Sequence, residues 1–477
     1  MFIDYTFQDW EATPEGDRLE LIAKIIRSYK ASEDFRRAGE ADEYFRAGKT
    51  AISKKVVLQP HTVTLADDAG KIQKRTQMQE IVGTRIFSNF FFIFVTQQNQ
   101  YLLGNGVNVE DNASADFLNN GFDKAVEQIG EKALVHGVCW GYWNNDHLEV
   151  IPAYTDELSG FVTLVDERTS LPRLGIQFWQ INQKRPLYVR LFEEDGLTEY
   201  KSTEKDKKKL EEYQPKRGYK QTWVEDAAGK TLLSSENYGL LPVVPFYASE
   251  LKCSELTNSI KEKIDAYDII FSDFGDNLAQ ANEIYWVFNN FGGRTSDIAE
   301  TLALIKQLRA VANVSDGTSS STVEAKSFEV PYEARKTALA LLEKALYRDY
   351  MAMSMDELTG GSLTNVAIRV AQTNLDLKAN RYEWQAFAFV QQILALAGIK
   401  TENITFKRQS ISNVTETIQN IYLMRQDIDQ RTALSLNPMI LADDVEDIIR
   451  ATQEEQAFTA RERQRMAEST EEVFLNE

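Results

Sequence analysis

A chain of 477 residues, 43% hydrophobic and 26% charged, has the balance of a globular protein of roughly two to four domains with an ample core. Its 72 acidic against 53 basic residues leave a formal charge of −19, which excludes a sequence-reading nucleic-acid binder with a broad basic face but not an acidic surface past which DNA slides. The two cysteines, Cys139 and Cys253, lie far apart and are expected as buried, reduced thiols.

From the N-terminus, Met1-Phe-Ile-Asp-Tyr-Thr6 lacks the basic and apolar segments of a secretory signal, so cytoplasm-like conditions are expected. Asp17–Lys30 places Leu19, Ile22, Ile25 and Ile26 on one helical stripe, and Ser32–Ala47 predicts a second helix ending at Gly48. Lys55–Leu65 predicts a short strand or extended arm around Pro60. Residues 76–101 predict a buried helix interrupted near Ser88–Asn89 and closing on the Gly104-Asn-Gly106 turn. The most apolar run in it, Phe90–Val95, falls far short of the ~20 residues that span a bilayer. Gly121–Val135 is amphipathic through Phe122, Val126, Ile129 and Leu134. Strands are then predicted at Val138–Trp143, His147–Pro152, Gly160–Val165, Gly175–Ile181, Tyr188–Phe192 and Gln221–Glu225, with turn residues between them. They imply one antiparallel meander. The basic run Lys205–Lys209 is expected as a solvated hairpin tip.

Leu240–Phe246 closes the meander and a helix follows over Leu256–Ala281. Its apolar stripe is Ile264, Tyr267, Ile270, Phe271, Phe274, Leu278 and Ala281; Asp265, Asp268, Asp273 and Asp276 fall opposite. One face is thus expected to pack and the other to present carboxylates. A small α/β block comes next, with strand Ile284–Phe288, a turn at Gly292-Gly293, helix Ser296–Leu308 and strands Arg309–Val314 and Val323–Val330. Two helices then bracket the loop Met355–Leu363. The first, Tyr332–Ser354, carries Ala334, Ala338, Leu341, Leu342 and Ala345 at helical spacing. The second, Thr364–Leu396, is on the order of 50 Å long at ~1.5 Å per residue, with Gly398 at its end. A helix that long predicts a strut, and Gly360-Gly361 before it predict a hinge. Strand Ile404–Arg408, helices Asn413–Ile428 and Asp443–Phe458 around Pro438, and the charged tail Arg461–Glu477, expected as helical or frayed, complete the chain.

Motifs for chemistry are sparse. His61, His136 and His147 stand at no zinc spacing, and no P-loop, GxGxxG fingerprint or GxSxG elbow is present. His136, at a helix-to-strand turn, is expected to be a hydrogen-bonded structural histidine. Asp265/Asp268, Asp273/Asp276 and Asp443/Asp444 offer a two-metal nuclease only weakly, because solvated acidic faces abound in so acidic a chain. No catalytic residue, metal or cofactor is expected. The layout suits a ring protomer, in which lateral packing buries apolar helix faces and leaves charged ones along a pore. On the returning helix Lys336, Lys344 and Arg348 share one side, either as a solvated face or as transient contacts to a DNA backbone.

Several stretches follow one another along the chain: Tyr44-Phe-Arg-Ala-Gly48; Asn89-Phe-Phe with Tyr101-Leu-Leu-Gly-Asn105; Ala133-Leu-Val-His-Gly-Val-Cys-Trp140; Leu241-Pro-Val-Val-Pro-Phe246; Ile264-Asp-Ala-Tyr-Asp268 with Ser272-Asp273; and Asn374-Leu-Asp-Leu-Lys-Ala-Asn380. With the helix–insert–helix–loop–long-helix layout, this set resembles the portal (head–tail connector) proteins of tailed bacteriophages, in the siphophage portal family, over about residues 16–450.

The resemblance implies an α+β, mainly helical protomer that assembles into a dodecameric ring at a capsid vertex and channels double-stranded DNA during packaging and ejection. It implies a wing at 1–250, stem helices at 251–281 and 332–354, a clip at 282–331, a tunnel loop at 355–363, a long wing helix with return strand at 364–409, and a crown with C-terminal tail at 410–477. The implied DNA-facing loop residues are Met355, Asp356, Glu357, Leu358, Thr359, Gly360, Gly361 and Ser362, whose two acids point to guidance by shape and repulsion. Asp265, Asp268, Asp273, Asp276, Lys336, Lys344 and Arg348 are the stem candidates for lining the channel. Asn289, Asn290, Phe291, Gly292, Gly293, Arg294, Asp316 and Gly317 are the clip candidates for contacting terminase or adaptor. Implied partners are further copies of the chain, DNA bound without sequence preference, terminase, head-completion or adaptor proteins, and major capsid and scaffolding proteins, with no membrane and no enzymatic activity. The implied place is the virion's portal vertex, after assembly in the host bacterial cytoplasm. A minor capsid or adaptor protein without a DNA channel, and a metal-dependent packaging nuclease, are the other readings.

Overall fold

The computed structural model describes residues 4–66, 72–109, 120–203, 209–226, 229–281, 285–289, 322–326, 332–354, 365–400, 403–409, 414–424, 428–437, 439–440 and 444–474. α1 (Phe7–Ala12) and α2 (Arg18–Ala31) open the chain, with Leu21, Ile22, Ile25, Ile26 and Tyr29 of α2 buried on one stripe. α3 (Glu33–Phe45) begins where the Ser32 hydroxyl accepts the Phe35 amide proton at 3.2 Å, an N-cap. β1 (Val56–Ala66) and β2 (Ile72–Val82) form an antiparallel hairpin with Val56 opposite Val82. The helix expected across 76–101 is therefore strand as far as Val82, then extended chain, and only α4 (Phe90–Leu103) is helical. β3 (Val107–Val109) and α5 (Asn120–His136) follow.

The strand region divides into separate sheets where the sequence predicts one. β4 (Val138–Asn144) and β5 (His147–Pro152) make a hairpin. β6 (Tyr154–Asp156), β7 (Ser159–Val165), β8 (Pro172–Trp179), β9 (Tyr188–Glu193), β10 (Gly196–Ser202) and β11 (Leu210–Arg217) make a six-stranded antiparallel meander. Among the described residues β12 (Lys220–Asp226) and β13 (Gly229–Glu236) pair only with each other, and β14 (Val243–Tyr247) returns to β4, with Phe246 opposite Cys139. Two-residue alternation then decides how the layers stack. Val162, Leu164, Ile176, Val189 and Leu191 of the meander face α2, whereas Phe161 and Phe192 face Trp140, Tyr142 and Val243 of the three-stranded sheet. On that sheet Cys139, Val244 and Phe246 point the other way, into the core built with α4 and α5. Both of its faces are covered, which explains the unbroken burial of Val138–Trp143. Cys139 is buried as expected, but Cys253 is exposed, since it lies in the loop after β14.

α6 (Asn258–Ala281) leads to β15 (Tyr285–Asn289), which pairs with β16 (Thr322–Lys326), Tyr285 opposite Lys326. The helix and strand expected between Ser296 and Val314 lie outside the described residues. α7 (Tyr332–Tyr350) and α8 (Asn365–Leu396) follow. α8 packs its length into the body: Tyr382, Ala386, Phe389, Val390, Ile393 and Leu394 are fully buried in the helical core. Phe389 lies so close to β4 that a Cβ on Gly141 would stand 2.6 Å from its ring. Gly398, at φ +87°, ends α8 as the sequence predicts, in a Schellman arrangement where Ile399 donates to the Leu394 carbonyl at 2.8 Å and Gly398 to Ala395 at 3.1 Å. β17 (Ile404–Phe406) pairs with β3, and α9 (Val414–Met424), α10 (Gln430–Ser435) and α11 (Asp444–Phe474) complete the fold. α10 is absent from the sequence prediction, and α11 continues past Phe458 through the charged tail to Phe474.

Candidate functional site

The helix pair α6–α7 and the chain around it hold most of the described residues singled out in the sequence. The expected carboxylate face of α6 is not a free surface. Segment 83–88 lies extended along it, and every second amide finds an acceptor on the helix. Thr84 donates to Asp276 Oδ1 at 2.8 Å, Ile86 to Ser272 Oγ at 2.9 Å, and Ser88 to Asp268 Oδ1 at 3.1 Å. The match is geometric, because two extended residues advance ~6.6 Å and four helical residues ~6 Å. Lys55, immediately before β1, ion-pairs with Asp273 and Asp276 at 2.7 Å each. Tyr44 of α3 donates to Asp265 at 2.6 Å.

Ionisation follows from these contacts. Burial pushes the Asp268 carboxyl up to about 6, against the pull of its Ser88 hydrogen bonds. Burial also raises Asp265, opposed by the Tyr44 hydroxyl. At Asp276 burial works the same way but is outweighed by the bonds from Lys55 and Thr84, so its carboxyl sits below the ordinary range. Asp268 is 1% exposed and Ser272 is fully buried, so this part of the acidic side is packed, while the Asp273 side chain stays half exposed.

Part of the expected packed side is correspondingly open. Ile264 is buried and Phe274 meets Tyr332 of α7 at 5.8 Å between rings, but Phe271 and Leu278 are 36% and 47% exposed. Amphipathic patterning cannot foresee this, because a carboxylate is as well satisfied by aligned backbone amides as by water. On α7 Lys336, Lys344 and Arg348 are exposed, as a solvated or partner-facing side requires. Arg348 pairs with Asp349 at 2.9 Å, and Asp349 also takes Lys263 of α6 at 2.9 Å, joining the two helices.

α7 stops earlier than its sequence predicts. Met351 takes φ +65°, and Ala352 donates to the Tyr347 carbonyl at 2.9 Å and Met351 to Arg348 at 3.1 Å. This is a Schellman end built on a side chain that disfavours it. It is held from outside. The Gln97 side-chain amide donates to the Met353 carbonyl at 3.1 Å and accepts the Met353 amide proton at 3.0 Å. Tyr350 donates to Gln98 Oε1 at 2.9 Å and its carbonyl accepts from Lys378 Nζ at 3.0 Å. Lys378 also pairs with Glu255 at 2.8 Å, and burial pulls its pKa down despite that partner. The chain entering the loop is therefore pinned at Tyr350–Met353 by α4 and α8. Sequence reasoning missed Gln97, Gln98, Glu255 and Lys378, which stand among other polar residues of their segments and carry no local signal.

The loop residues Met355, Asp356, Glu357, Leu358, Thr359, Gly360, Gly361 and Ser362 lie outside the described residues, as do Asn290, Phe291, Gly292, Gly293, Arg294, Asp316 and Gly317. Asn289 closes β15 opposite Thr322. Asp443 is likewise outside. Among the described residues no group of three or more His, Cys, Asp or Glu side chains is placed to hold a metal ion, and no helix is long and apolar enough to cross a membrane. His136 is buried with Nε2 3.5 Å from Asp42 Oδ1, its polar neighbour, and burial keeps its pKa low against the pull of that carboxylate.

Comparison with known proteins bears on this helix pair. The phage portal proteins described as SPP1 Gp6-like match residues 27–467, and the chain belongs to that family. A relative named Portal protein, from Clostridium phage phiCD119, is 23% identical over 366 residues, covering 70% of this chain and 76% of that protein. The matched span takes in α6, α7, α8 and the residues that pin them.

Proposed function

We propose that copies of this chain close into a dodecameric ring at one capsid vertex, whose bore passes double-stranded DNA inward during packaging and outward during ejection. Membership of the portal family supports this, and one observation carries it into the structure: the α6–α7 pair leaves Ile269, Phe271, Leu278 and Leu341 exposed, at 43%, 36%, 47% and 64%. Apolar side chains along a helix pair call for cover, and neighbouring copies around an axis supply it. On this reading residues 1–250 and 364–409 are the wing, 251–281 and 332–354 the stem, 282–331 the clip that meets terminase and later the head-completion proteins, 355–363 the tunnel loop, and 410–477 the crown. The carboxylates bound in the α6 ladder are structural on this reading, and Lys336, Lys344 and Arg348 are the stem side chains left to face DNA or a neighbour. The role is structural and the place is the virion. Negative-stain electron microscopy of purified protein at several salt concentrations tests it. Closed rings with a central hole are expected; a monomer, or a small oligomer without a hole, would overturn the reading in favour of an adaptor-type protein.

A further inference from the structure

The β1–β2 hairpin has 11 residues per strand, and among the described residues neither strand pairs with a third. An isolated two-stranded ribbon is marginally stable in water, so its direction is set at its root. Both root segments are bound to one helix. Lys55 enters β1 bridging Asp273 and Asp276, and 83–88 leaves β2 with the Thr84, Ile86 and Ser88 amides on Asp276, Ser272 and Asp268. Arg85 ties the two segments together by donating to the Lys55 carbonyl at 2.9 Å. Ile260, Ile264 and Tyr267, by contrast, are the apolar contacts of α6 with the helical core, and all three lie in its N-terminal half. The ladder therefore grips α6 from Asp268 to Asp276, beyond those contacts.

We propose that this ladder is a standing mechanical coupling: the hairpin arm and the C-terminal half of α6 move as one body, so that displacement of the helix is transmitted to the arm. The rungs are interdependent. Lifting Ser88 alone leaves the Asp268 carboxyl buried without its donor, and lifting Thr84 frees one oxygen of a carboxylate that also holds Lys55. Partial opening is thus disfavoured against all or none. This inference rests on reading α6 as a stem helix, whose movement is what the arm would report.

The test uses a reversible lock. The Thr84 Cβ lies 3.7 Å from where a Cβ on Gly275 would stand, within the range a disulfide spans. In a Cys253→Ser background, Thr84→Cys/Gly275→Cys should oxidise readily and package DNA at the parental yield, because the lock fixes what is already fixed. Ser272→Ala/Asp276→Asn should speed exchange of the Thr84 and Ile86 amides by about 10-fold and lower packaging yield. In the parent the Thr84, Ile86 and Ser88 amides should exchange together. Packaging blocked by oxidation and restored by reduction would overturn the proposal, since the ladder would then have to open. Independent exchange of the three amides, or parental packaging by the unlatched variant, would do so too. Crosslinking and exchange are read on purified protein, so a failed ladder is distinguishable from a failed ring.

Discussion

α6 and α8 are both long helices with apolar residues at helical spacing, yet they are held in opposite ways. α8 is embedded by shape: Phe389 fits against Gly141 and rings with Phe246 at 5.1 Å, and Tyr382 donates to Asn99 at 2.9 Å. α6 from Asp268 to Asp276 is held by a line of polar side chains receiving amides from segment 83–88, while Phe271 and Leu278 stay open. Close packing resists displacement in every direction and loses most when a large side chain is removed. A polar ladder is directional, contributes less per contact, and responds to pH. The difference teaches where the molecule is a fixed frame and where a partner surface and a charge-dependent joint remain.

Four measurements break or sharpen that contrast. Phe389→Ala should have the largest effect, a loss of about 3–5 kcal/mol in urea unfolding, because a cavity opens against β4. An effect as small as a ladder substitution would refute the frame assigned to α8. Lys378→Met should cost about 2–3 kcal/mol by the same assay, since Glu255 loses its partner and the Tyr350 carbonyl its donor. Adding Glu255→Gln should recover part of the loss, and additive losses would show that the pair is not coupled.

Asp268 provides the pH test. Its folded carboxyl titrates near 6, above the ordinary unfolded value of ~3.9, so the native state holds the extra proton between those two values. This group therefore favours folding increasingly as pH falls from 7 towards 4, and Asp265, also raised, moves the same way. Asp276 is depressed and acts oppositely, its contribution present above the unfolded value and lost as pH falls through the folded one. Asp268→Asn should accordingly be least harmful at pH 7 and worsen relative to the parent by about 2 kcal/mol by pH 4. A pH-independent difference would show that Asp268 is not buried against the strand. The smallest effect is expected from Asp276→Ala, about 1 kcal/mol globally, detected better as faster exchange of the Thr84 amide than as a shift in unfolding midpoint.

Much of this architecture was legible from local signals. The α2 stripe, the Gly398 stop and the two helices α7 and α8 each depend on residues a few positions apart. What misled was locality itself. β2 read as part of a helix because Ile72–Val82 becomes a strand only through pairing with β1. β11, with its polar sequence LEEYQPKR, shows no alternation and was invisible as an edge strand. The pins at Tyr350–Met353 join residues some 250 positions apart, as in the Gln98–Tyr350 bond, which spans 252.

Near-neighbour signals in the chain thus sufficed for most helices and for the resemblance to portal proteins, because periodicity and capping act between residues a few positions apart. What α6 covers on each side was settled only by the fold. Ile260 and Ile264 enter the core, while Asp268 and Ser272 on the other side are covered because segment 83–88 brings three amides into register with the helix. Those amides come from 180, 186 and 192 residues away, a distance over which no local pattern carries information.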